Sequence, residues 1–361
     1  MSKLEAPRLI AFYLPQFHPI PENDAWWGKG FTEWRKVVQG RPLFKGHYQP
    51  HLPADLGFYD LRCPQIREQQ AELAREYGIH GFCYYHYWFN GKRLLERPFN
   101  EVLTSSRPNF PFCLCWANEN WTRRWDGLES DVLLKQEYSP ADDLEHIRAL
   151  LPAFEDSRYI RVDDKPLLLV YRTELLPDPA STANIWREES SKAGVGEIYL
   201  ANVQSLGKYG APADIGFDAS VEFAPDWYRT GPNLNGRVLR AFWRALSSGV
   251  TRDTRLFSYD ELVRRMCGKQ VPEYPWFRCV TPSWDKTARR PRHADVFIGS
   301  SPQKYEKWLR FVIRQTQAKH GGSDGIVFIN AWNEWAEGCH LEPDLKYGTA
   351  YLEATARAME S

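Results

Sequence analysis

The chain has 361 residues, a length that fits either two domains or one large α/β barrel. Lys plus Arg and Asp plus Glu both number 46, so the formal net charge is zero, which makes nucleic acid and acidic membrane surfaces poor candidate partners. No apolar run approaches the roughly 20 residues that span a bilayer and no apolar leader opens the sequence, so we expect a cytoplasmic protein without a transmembrane segment.

Short apolar runs rich in β-branched and aromatic residues recur along the chain, separated by stretches with helical periodicity. Their nearly continuous apolarity is typical of parallel strands that are buried on both faces. Eight such strands alternating with helices predict a (β/α)8 TIM barrel of the α/β class, with an open, doubly wound sheet as the alternative. The predicted strands are Leu9–Leu14, Ile79–Tyr87, Phe112–Ala117, Pro166–Tyr171, Glu197–Val203, Phe217–Phe223, Trp276–Pro282 and Gly325–Ala331.

Helix signals support two of the connections between these strands. Before the second strand, a helical apolar period follows Pro64 and stops at Gly78. Before the eighth strand, Ser301 is a suitable N-cap and Pro302 a suitable first helical residue. The weak point is the connection across residues 203–217, which leaves little room for a full crossover helix.

Two long insertions follow strand ends, at about residues 15–63 after the first strand and 224–275 after the sixth. In a barrel, the loops that follow the strands form the catalytic face. Extra chain at these positions is therefore expected to shape a substrate cleft, and we predict that residues 1–361 form a single catalytic domain.

The densest functional signal follows the last strand, where Glu334 and Glu337 lie three residues apart. Glu334 lies between Trp332 and Trp335, and Glu337 lies two residues after Trp335. Side chains at this spacing can face the same cavity on a tight turn. Neighbouring carboxylates in a partly apolar site titrate apart, so that one can stay protonated near neutrality. We therefore predict that Glu334 and Glu337 are the catalytic residues.

Aromatic and polar residues cluster at the ends of the other predicted strands as well. Aromatic planes beside amides and carboxylates suit a carbohydrate, because sugars present apolar C–H faces and a rim of hydroxyl groups. We expect the strand-end residues to share one end of the barrel. The predicted substrate-binding residues are Tyr13, His18, His86, Trp116, Asn118, Glu119, Tyr171, Glu222, Trp332, Asn333 and Trp335.

Competing kinds of site have little support. The sequence contains neither a complete G-x-G-x-x-G fingerprint nor a G-x-x-x-x-G-K-[ST] phosphate loop, so nucleotide binding by those routes is not expected. His18, His47, His51 and His86 lack the spacing of known metal motifs. We therefore predict no metal and no cofactor.

Several segments together resemble the WbsX-like family, which occurs with genes for bacterial O-antigen and other surface polysaccharides and is often described as glycosyltransferase. The resemblance covers nearly the whole chain. The segments that carry it are Ala11–Pro19, Trp26–Trp34, His47–Pro50, Gly81–Trp88 and Cys115–Trp121. That family is in turn similar to the family 99 glycoside hydrolases of the endo-α-1,2-mannosidase type, which are (β/α)8 barrels with a W-N-E-W-x-E-G motif, matched here by Trp332–Gly338.

The resemblance implies a retaining route through a 1,2-anhydro sugar. It gives Glu334 the role of base on the sugar's own 2-hydroxyl group. It gives Glu337 the role of acid toward the leaving oxygen and afterwards of base toward water. Ala336 stands where the mannosidases tend to have His, which implies that a different sugar lies beside the pair.

These observations favour a retaining glycoside hydrolase or transglycosylase that acts on an α-linked, mannose- or rhamnose-like surface polysaccharide such as O-antigen. The alternative is a glycosyltransferase of O-antigen or lipopolysaccharide biosynthesis, which would differ in its dependence on a donor. A third possibility, a sugar-binding barrel without catalysis, is disfavoured because both glutamates of the motif are present. An oligosaccharide or polysaccharide is the expected partner, and the sequence does not indicate an oligomeric state.

Overall fold

A computed structural model describes residues 6–123, 128–206, 209–235, 254–290, 293–320 and 325–360. Eight parallel strands pair side by side and close into a barrel, because the first strand pairs with both the second and the last. In this closure Ile10 lies opposite Gly81 on one side and Phe328 on the other. The predicted (β/α)8 barrel is confirmed, and the open sheet is excluded.

All eight predicted strand runs overlap a barrel strand, with ends that differ by at most a few residues. Most of the strand residues are buried, as expected for parallel strands covered on both faces. The strands are β1 (Arg8–Tyr13), β2 (Gly81–Phe89), β3 (Phe112–Trp116), β4 (Lys165–Val170), β5 (Tyr199–Gln204), β6 (Ala219–Glu222), β7 (Trp276–Val280) and β8 (Ile326–Ile329).

Helices cover the outside of the barrel and also lie in the segment that follows β1. Within the described parts of the chain they are α1 (Pro21–Trp27), α2 (Trp34–Val37), α3 (Pro64–Glu76), α4 (Arg97–Ser105), α5 (Pro140–Phe154), α6 (Pro179–Lys192), α7 (Tyr259–Cys267), α8 (Pro302–His320) and α9 (Ala350–Met359). None of these helices is long and apolar enough to cross a bilayer.

The helix signals of the sequence correspond to real helices. Helix α3 begins at Pro64, and α8 begins at Pro302 after Ser301, whose hydroxyl oxygen accepts the N–H of Lys304. Helix α8 buries Tyr305 and Trp308 against the barrel because they lie on its apolar face. Between β5 and β6, the described residues of the short connection hold one 3-10 turn, Pro212–Ile215, and no full helix.

Short strands and turns extend the barrel strands. Where the strands finish, Lys92–Leu94 folds back antiparallel on the end of β2, and antiparallel hairpins follow β3 and β8. Arg161–Val162 pairs antiparallel with the start of β4, and Arg255–Ser258 pairs with Asp295–Ile298 in a separate parallel sheet. The short strands are Lys92–Leu94, Trp121–Arg123, Leu128–Leu134, Arg161–Val162, Arg255–Ser258, Asp295–Ile298, Asn333–Glu334 and Cys339–His340, and the further 3-10 turns are Thr173–Leu175 and Trp335–Glu337.

Candidate active site

A cleft of about 250 Å³ opens at the carboxyl ends of the barrel strands, where catalytic sites of such barrels lie. Its walls come from β2 and from the segments that follow β1 and β3 to β8. Both predicted catalytic residues line it. The cleft is lined by Gln16, Asn23, Trp26, Trp27, Tyr85, Tyr87, Ala117, Glu119, Asn120, Trp121, Thr122, Leu133, Tyr171, Leu206, Phe223, Trp227, Trp284, Lys286, Arg289, Asn330, Glu334 and Glu337.

Three carboxylates share one arginine on the floor of this cleft. Arg289 Nη2 lies 2.8 Å from Glu334 Oε2 and 2.7 Å from Glu33 Oε1, and Arg289 Nη1 lies 2.8 Å from Glu337 Oε1. Lys286 Nζ is 3.7 Å from Glu337 Oε1. This group contains three carboxylates and two cations, so the two cations cannot balance the charge of all three carboxylates when each is ionised.

Burial and unequal pairing drive the pKa values of these glutamates apart. Burial raises the pKa of Glu334 to about 8, with Glu337 and Glu33 adding to the effect and Arg289 opposing it. Burial also raises the pKa of Glu33 against the effect of Arg289. Burial acts on Glu337 as well, but Arg289 and Lys286 together outweigh it and lower the pKa of Glu337. These shifts favour Glu334 over Glu337 as the member of the pair that holds a proton.

Backbone contacts between two loops place Arg289 beside the glutamates. The N–H of Arg289 donates to Ala336 O at 3.1 Å, and the N–H of Asp285 donates to Glu337 O at 2.6 Å. Gly338 permits this docking, since it has φ +55° and an added Cβ would lie 2.9 Å from Asp285 Cβ. The loop after β7 and the turn that carries both glutamates thus form one unit.

Two asparagine side chains form hydrogen bonds that connect one strand end to the backbone at a neighbouring strand end. Asn333 Oδ1 accepts the N–H of Leu14 at 2.7 Å, and its Nδ2 donates to Leu14 O at 3.0 Å. Asn118 makes the same pair of bonds with the backbone of Arg172, both at 2.8 Å. Both asparagines are buried, so they position the cleft residues beside them and do not line the cleft.

Of the predicted substrate-binding residues, Glu119 and Tyr171 line the cleft. Glu119 is paired with Arg172, which also pairs with Glu174. The Glu119 carboxylate is about one-fifth exposed, in contrast to the buried glutamates after β8. It is therefore placed where a ligand in the cleft could reach it.

Four of the predicted binding residues lie on the outer face of the barrel, against the helices, so their prediction as cleft residues is corrected. Side chains alternate between the two faces of a strand, and sequence proximity to a strand end does not show which face is used. Tyr13 donates to Gln70 of α3, and His86 contacts His146 of α5. Trp116 packs on Trp186 of α6, and Glu222 pairs with Arg278 and Lys269.

The remaining predicted binding residues are packed behind the cleft, and they too are corrected. His18 is buried with Nδ1 2.9 Å from Pro15 O, and burial lowers its pKa to about 4. The indole Nε1 of Trp335 donates to Glu342 Oε2 at 2.6 Å. Trp332 packs on Phe82. Asn118 and Asn333 hold backbone, as described above. Large apolar rings at strand ends here serve mainly to pack the layer beneath the site.

The sequence contains signals for some of the residues that prediction missed. Tyr85 and Tyr87 line the cleft, and strand alternation around His86 could have identified them. Glu33 lies in the segment Trp26–Trp34, which also supplies Trp26 and Trp27 to the cleft wall. Arg289 follows β7 within a stretch of several basic residues, and nothing in the sequence distinguishes it from its neighbours.

Comparison with known proteins places the chain among relatives. The family model described as "Glycosyltransferase WbsX" matches residues 9–355, which confirms the resemblance seen in the sequence. Two proteins named "Uncharacterized protein WxcX" from Xanthomonas campestris pv. campestris are 49% and 48% identical over 351 residues. The match covers 97% of this chain and 49% of theirs, so the chain spans about half the length of these relatives.

Solved structures share the barrel at much lower identity. A glycoside hydrolase-like protein superposes with a TM-score of 0.60 and 14% identity, over 98% of this chain and 94% of that chain. The GH99 endo-α-mannosidase of Bacteroides thetaiotaomicron superposes with a TM-score of 0.57 and 16% identity, over 98% of this chain and 96% of that chain. At these identities the likeness establishes the fold, and the chemistry has to be argued from the residues of the cleft.

Proposed function

Because this chain belongs to the WbsX family, we propose that it is a carbohydrate-active enzyme, specifically a retaining glycoside hydrolase or transglycosylase. Its proposed substrate is an α-linked bacterial surface polysaccharide with mannose- or rhamnose-like sugars, such as O-antigen. The observation that carries the proposal is the pair Glu334 and Glu337, which share Arg289 in an aromatic cleft and have pKa values shifted in opposite directions.

Two such carboxylates are sufficient for glycosyl transfer. One carboxyl group must give a proton to the leaving oxygen, and the other must act as a base or nucleophile at the sugar. A pair with separated pKa values meets both needs at one pH, because one member is protonated while the other is ionised. The cleft provides this pair without calling on any other titratable group.

We propose that the proton changes its place when a sugar binds. The pKa shifts favour Glu334 as the holder of the proton, whereas the retaining route through a 1,2-anhydro sugar needs Glu334 as base and Glu337 as acid. Moving one proton from Glu334 to Glu337 leaves the charge of the group unchanged. Arg289 contacts both residues, so a sugar that draws Arg289 away from Glu337 favours this transfer.

The walls of the cleft suit a carbohydrate. Trp26, Trp121, Trp227 and Trp284 present indole surface, and Asn120 presents an amide. Aromatic faces pack on the apolar faces of sugar rings, and amides and carboxylates satisfy hydroxyl groups. We propose that the Glu119–Arg172 pair binds sugar hydroxyl groups at the opposite side of the cleft from the catalytic pair.

A glycosyltransferase of O-antigen or lipopolysaccharide biosynthesis is the second candidate, and the family's description favours it. The same carboxylates could pass a glycosyl group from an activated donor to a sugar hydroxyl. The two candidates differ in their need for a donor and in whether water enters the product.

Incubation of the purified chain with surface polysaccharide in water enriched in heavy oxygen separates the candidates. The hydrolase predicts shortened chains that carry one heavy oxygen at the new reducing end, seen by mass spectrometry. Transglycosylation predicts lengthened and shortened chains, with heavy oxygen only in the minor hydrolysed fraction. Absence of any product without an added activated donor, together with product formation when the donor is supplied, would contradict the proposal and support the transferase. Glu334→Gln serves as the control for contaminating enzymes.

A further inference from the structure

A second cavity, of about 200 Å³, lies behind the loop that carries the catalytic pair. His51 reaches it from the segment after β1, and His340 and Asp344 reach it from the segment after β8. None of these three lines the sugar cleft. All three are buried, and one ligating atom from each lies within 4.8 Å of the other two. We call these residues the His51 cluster.

Hydrogen bonds fix the orientation of the His340 ring. His340 Nδ1 lies 2.9 Å from Glu342 O. A carbonyl oxygen can only accept, so Nδ1 carries the proton and Nε2 presents its lone pair. His340 Nε2 lies 2.9 Å from His51 Nδ1 and 3.8 Å from Asp344 Oδ2. A ring nitrogen held by a backbone carbonyl in this way is the usual outer support of a metal-binding histidine.

The carboxylate of Asp344 is also held in place. Its Oδ1 accepts the backbone N–H groups of Lys346 at 2.8 Å and of Tyr347 at 2.7 Å. Oδ2 is the remaining oxygen of this carboxylate, and it lies 3.8 Å from His340 Nε2, the atom that accepts the proton of His51 Nδ1. Lone pairs of Oδ2 and of the two ring nitrogens thus meet in one small buried space, where a cation would attract all three.

We propose that the His51 cluster binds one divalent ion of the first transition series, with Zn²⁺ as the representative. Two imidazole nitrogens and one carboxylate oxygen are ligands that Zn²⁺ accepts, and the cavity leaves room for a further ligand. Tetrahedral Zn²⁺ at about 2.1 Å from each nitrogen separates the two nitrogens by about 3.4 Å. The His51 and His340 nitrogens, now 2.9 Å apart, therefore need to part by only about half an ångström.

Binding requires one change of protonation within the cluster. In the ligand-free arrangement His51 Nδ1 donates to His340 Nε2, because His340 Nε2 carries no proton. When the ion takes the place of that proton, His51 carries its hydrogen on Nε2 instead. The exchange is a change of tautomer, so the ring stays neutral and no proton is released from it.

Such an ion would brace the catalytic loop from behind. The rings of His340 and Trp335 stack with their centroids 3.7 Å apart, and the strand pairing joins His340 to Asn333 and Cys339 to Glu334. The ion would thus tie the segment after β1 to the loop that carries Glu334 and Glu337. Its role is structural, and the sugar chemistry itself does not use it.

The test uses the full chain without a polyhistidine tag, freed of metal by chelator and dialysis. Zn²⁺ alone is titrated by calorimetry, and Co²⁺ alone is followed by its visible absorption. We expect one ion per chain, the visible bands of a Co²⁺ site with nitrogen ligands, and a higher unfolding temperature with Zn²⁺. His51→Gln and Asp344→Asn should each remove most of this binding. His80→Gln, the same kind of substitution at a site outside the cluster, should bind as the wild type does.

Two results would overturn the proposal. One is a wild-type chain that takes up no stoichiometric Zn²⁺ or Co²⁺, a result that does not depend on whether any variant folds. The other is binding by His51→Gln and Asp344→Asn at wild-type strength, which would place the ion elsewhere. Circular dichroism of each variant against the wild type shows whether lost binding comes from the missing ligand or from a lost fold, and a variant that unfolds is replaced by His340→Gln.

Discussion

Two strand ends of this barrel carry nearly the same residues and differ in their electrostatics. After β3 the chain has Trp116, Asn118 and Glu119, and after β8 it has Trp332, Asn333 and Glu334. In each, the tryptophan is buried away from the cleft, the asparagine holds the backbone of a neighbouring loop, and the glutamate faces the cleft.

The difference lies in what surrounds each glutamate. Glu119 is partly exposed and pairs with Arg172, which also pairs with Glu174. Glu334 is buried and shares Arg289 with Glu337 and Glu33. Burial and an excess of carboxylates make a group hold a proton near neutrality, whereas a partly exposed ion pair does not. Under the proposed function, similar residues serve binding at one strand end and acid–base chemistry at the other.

The sharpest contrast is expected between Glu334→Gln and Glu119→Gln. Loss of the base should lower kcat/KM by about 10²–10⁴-fold, because general acid–base groups contribute that much. Loss of the Glu119 carboxylate should cost about tenfold, mostly in KM, as expected for one charged hydrogen bond to a sugar. Steady-state kinetics on the substrate found in the heavy-oxygen experiment measure both. Equal losses would mean that the two strand ends do not differ in role.

The two arginines provide a matched pair of substitutions. Arg289→Gln leaves three buried carboxylates without their shared cation and should cost about 3–5 kcal/mol of stability, along with most of the activity. Arg172→Gln removes a partly exposed cation and should cost about 1 kcal/mol or less. Urea unfolding followed by tryptophan fluorescence measures both. A larger loss for Arg172→Gln would reverse the comparison.

The pH dependence of stability tests the proton on Glu334. Folding raises the pKa of this carboxyl group to about 8, from an ordinary value of about 4.3 in the unfolded chain. Its contribution is therefore complete below about pH 4 and is lost as the pH rises through about 8, because the unfolded chain releases the proton first. Relative to Glu334→Gln, the wild type should lose stability between pH 5 and about 8. If the free energy of unfolding changes with pH in the same way in both proteins, Glu334 is ionised in the folded chain.

The smallest effects concern the two faces of the strands. Tyr13→Phe removes a buried hydrogen bond to Gln70 and should cost about 1 kcal/mol of stability without changing kcat/KM. Tyr85→Phe changes a ring that lines the cleft and should lower kcat/KM by about 2- to 10-fold, the equivalent of one hydrogen bond. A kinetic effect of Tyr13→Phe alone would place the sugar on the wrong face of the barrel.

The two faces of each strand also explain which features of the fold and site could be predicted from the sequence. Continuous apolar runs predicted all eight strands, since burial on both faces leaves that pattern. The same continuity hides which side chains point inward, so Tyr13, His86, Trp116 and Glu222 were assigned to the cleft although they face the helices. Glu334 and Glu337 were placed in the cleft correctly because they lie beyond the barrel strand, in the short strand and 3-10 turn that follow β8.

Other parts of the site depend on contacts between distant segments. Arg289 reaches the glutamates because its loop docks on the turn after β8 through backbone bonds, with Gly338 allowing the close approach. His51 meets His340 and Asp344 across almost the whole length of the chain. The local spacing of residues contains no trace of either contact, so neither could be predicted from the sequence.

The most direct test of the central claim is the leaving-group dependence of Glu337→Gln on a series of α-glycosides, compared with Glu119→Gln. If Glu337 protonates the leaving oxygen, Glu337→Gln should lower the rate by about 10²–10⁴-fold on glycosides with poor leaving groups. On glycosides with good leaving groups, the rate of the first step should return most of the way to the wild-type value. The rate of Glu119→Gln should depend on the leaving group in the same way as the wild-type rate. If the rate of Glu337→Gln also depends on the leaving group as the wild-type rate does, neither Glu337 nor the pair that Arg289 bridges supplies the acid as proposed.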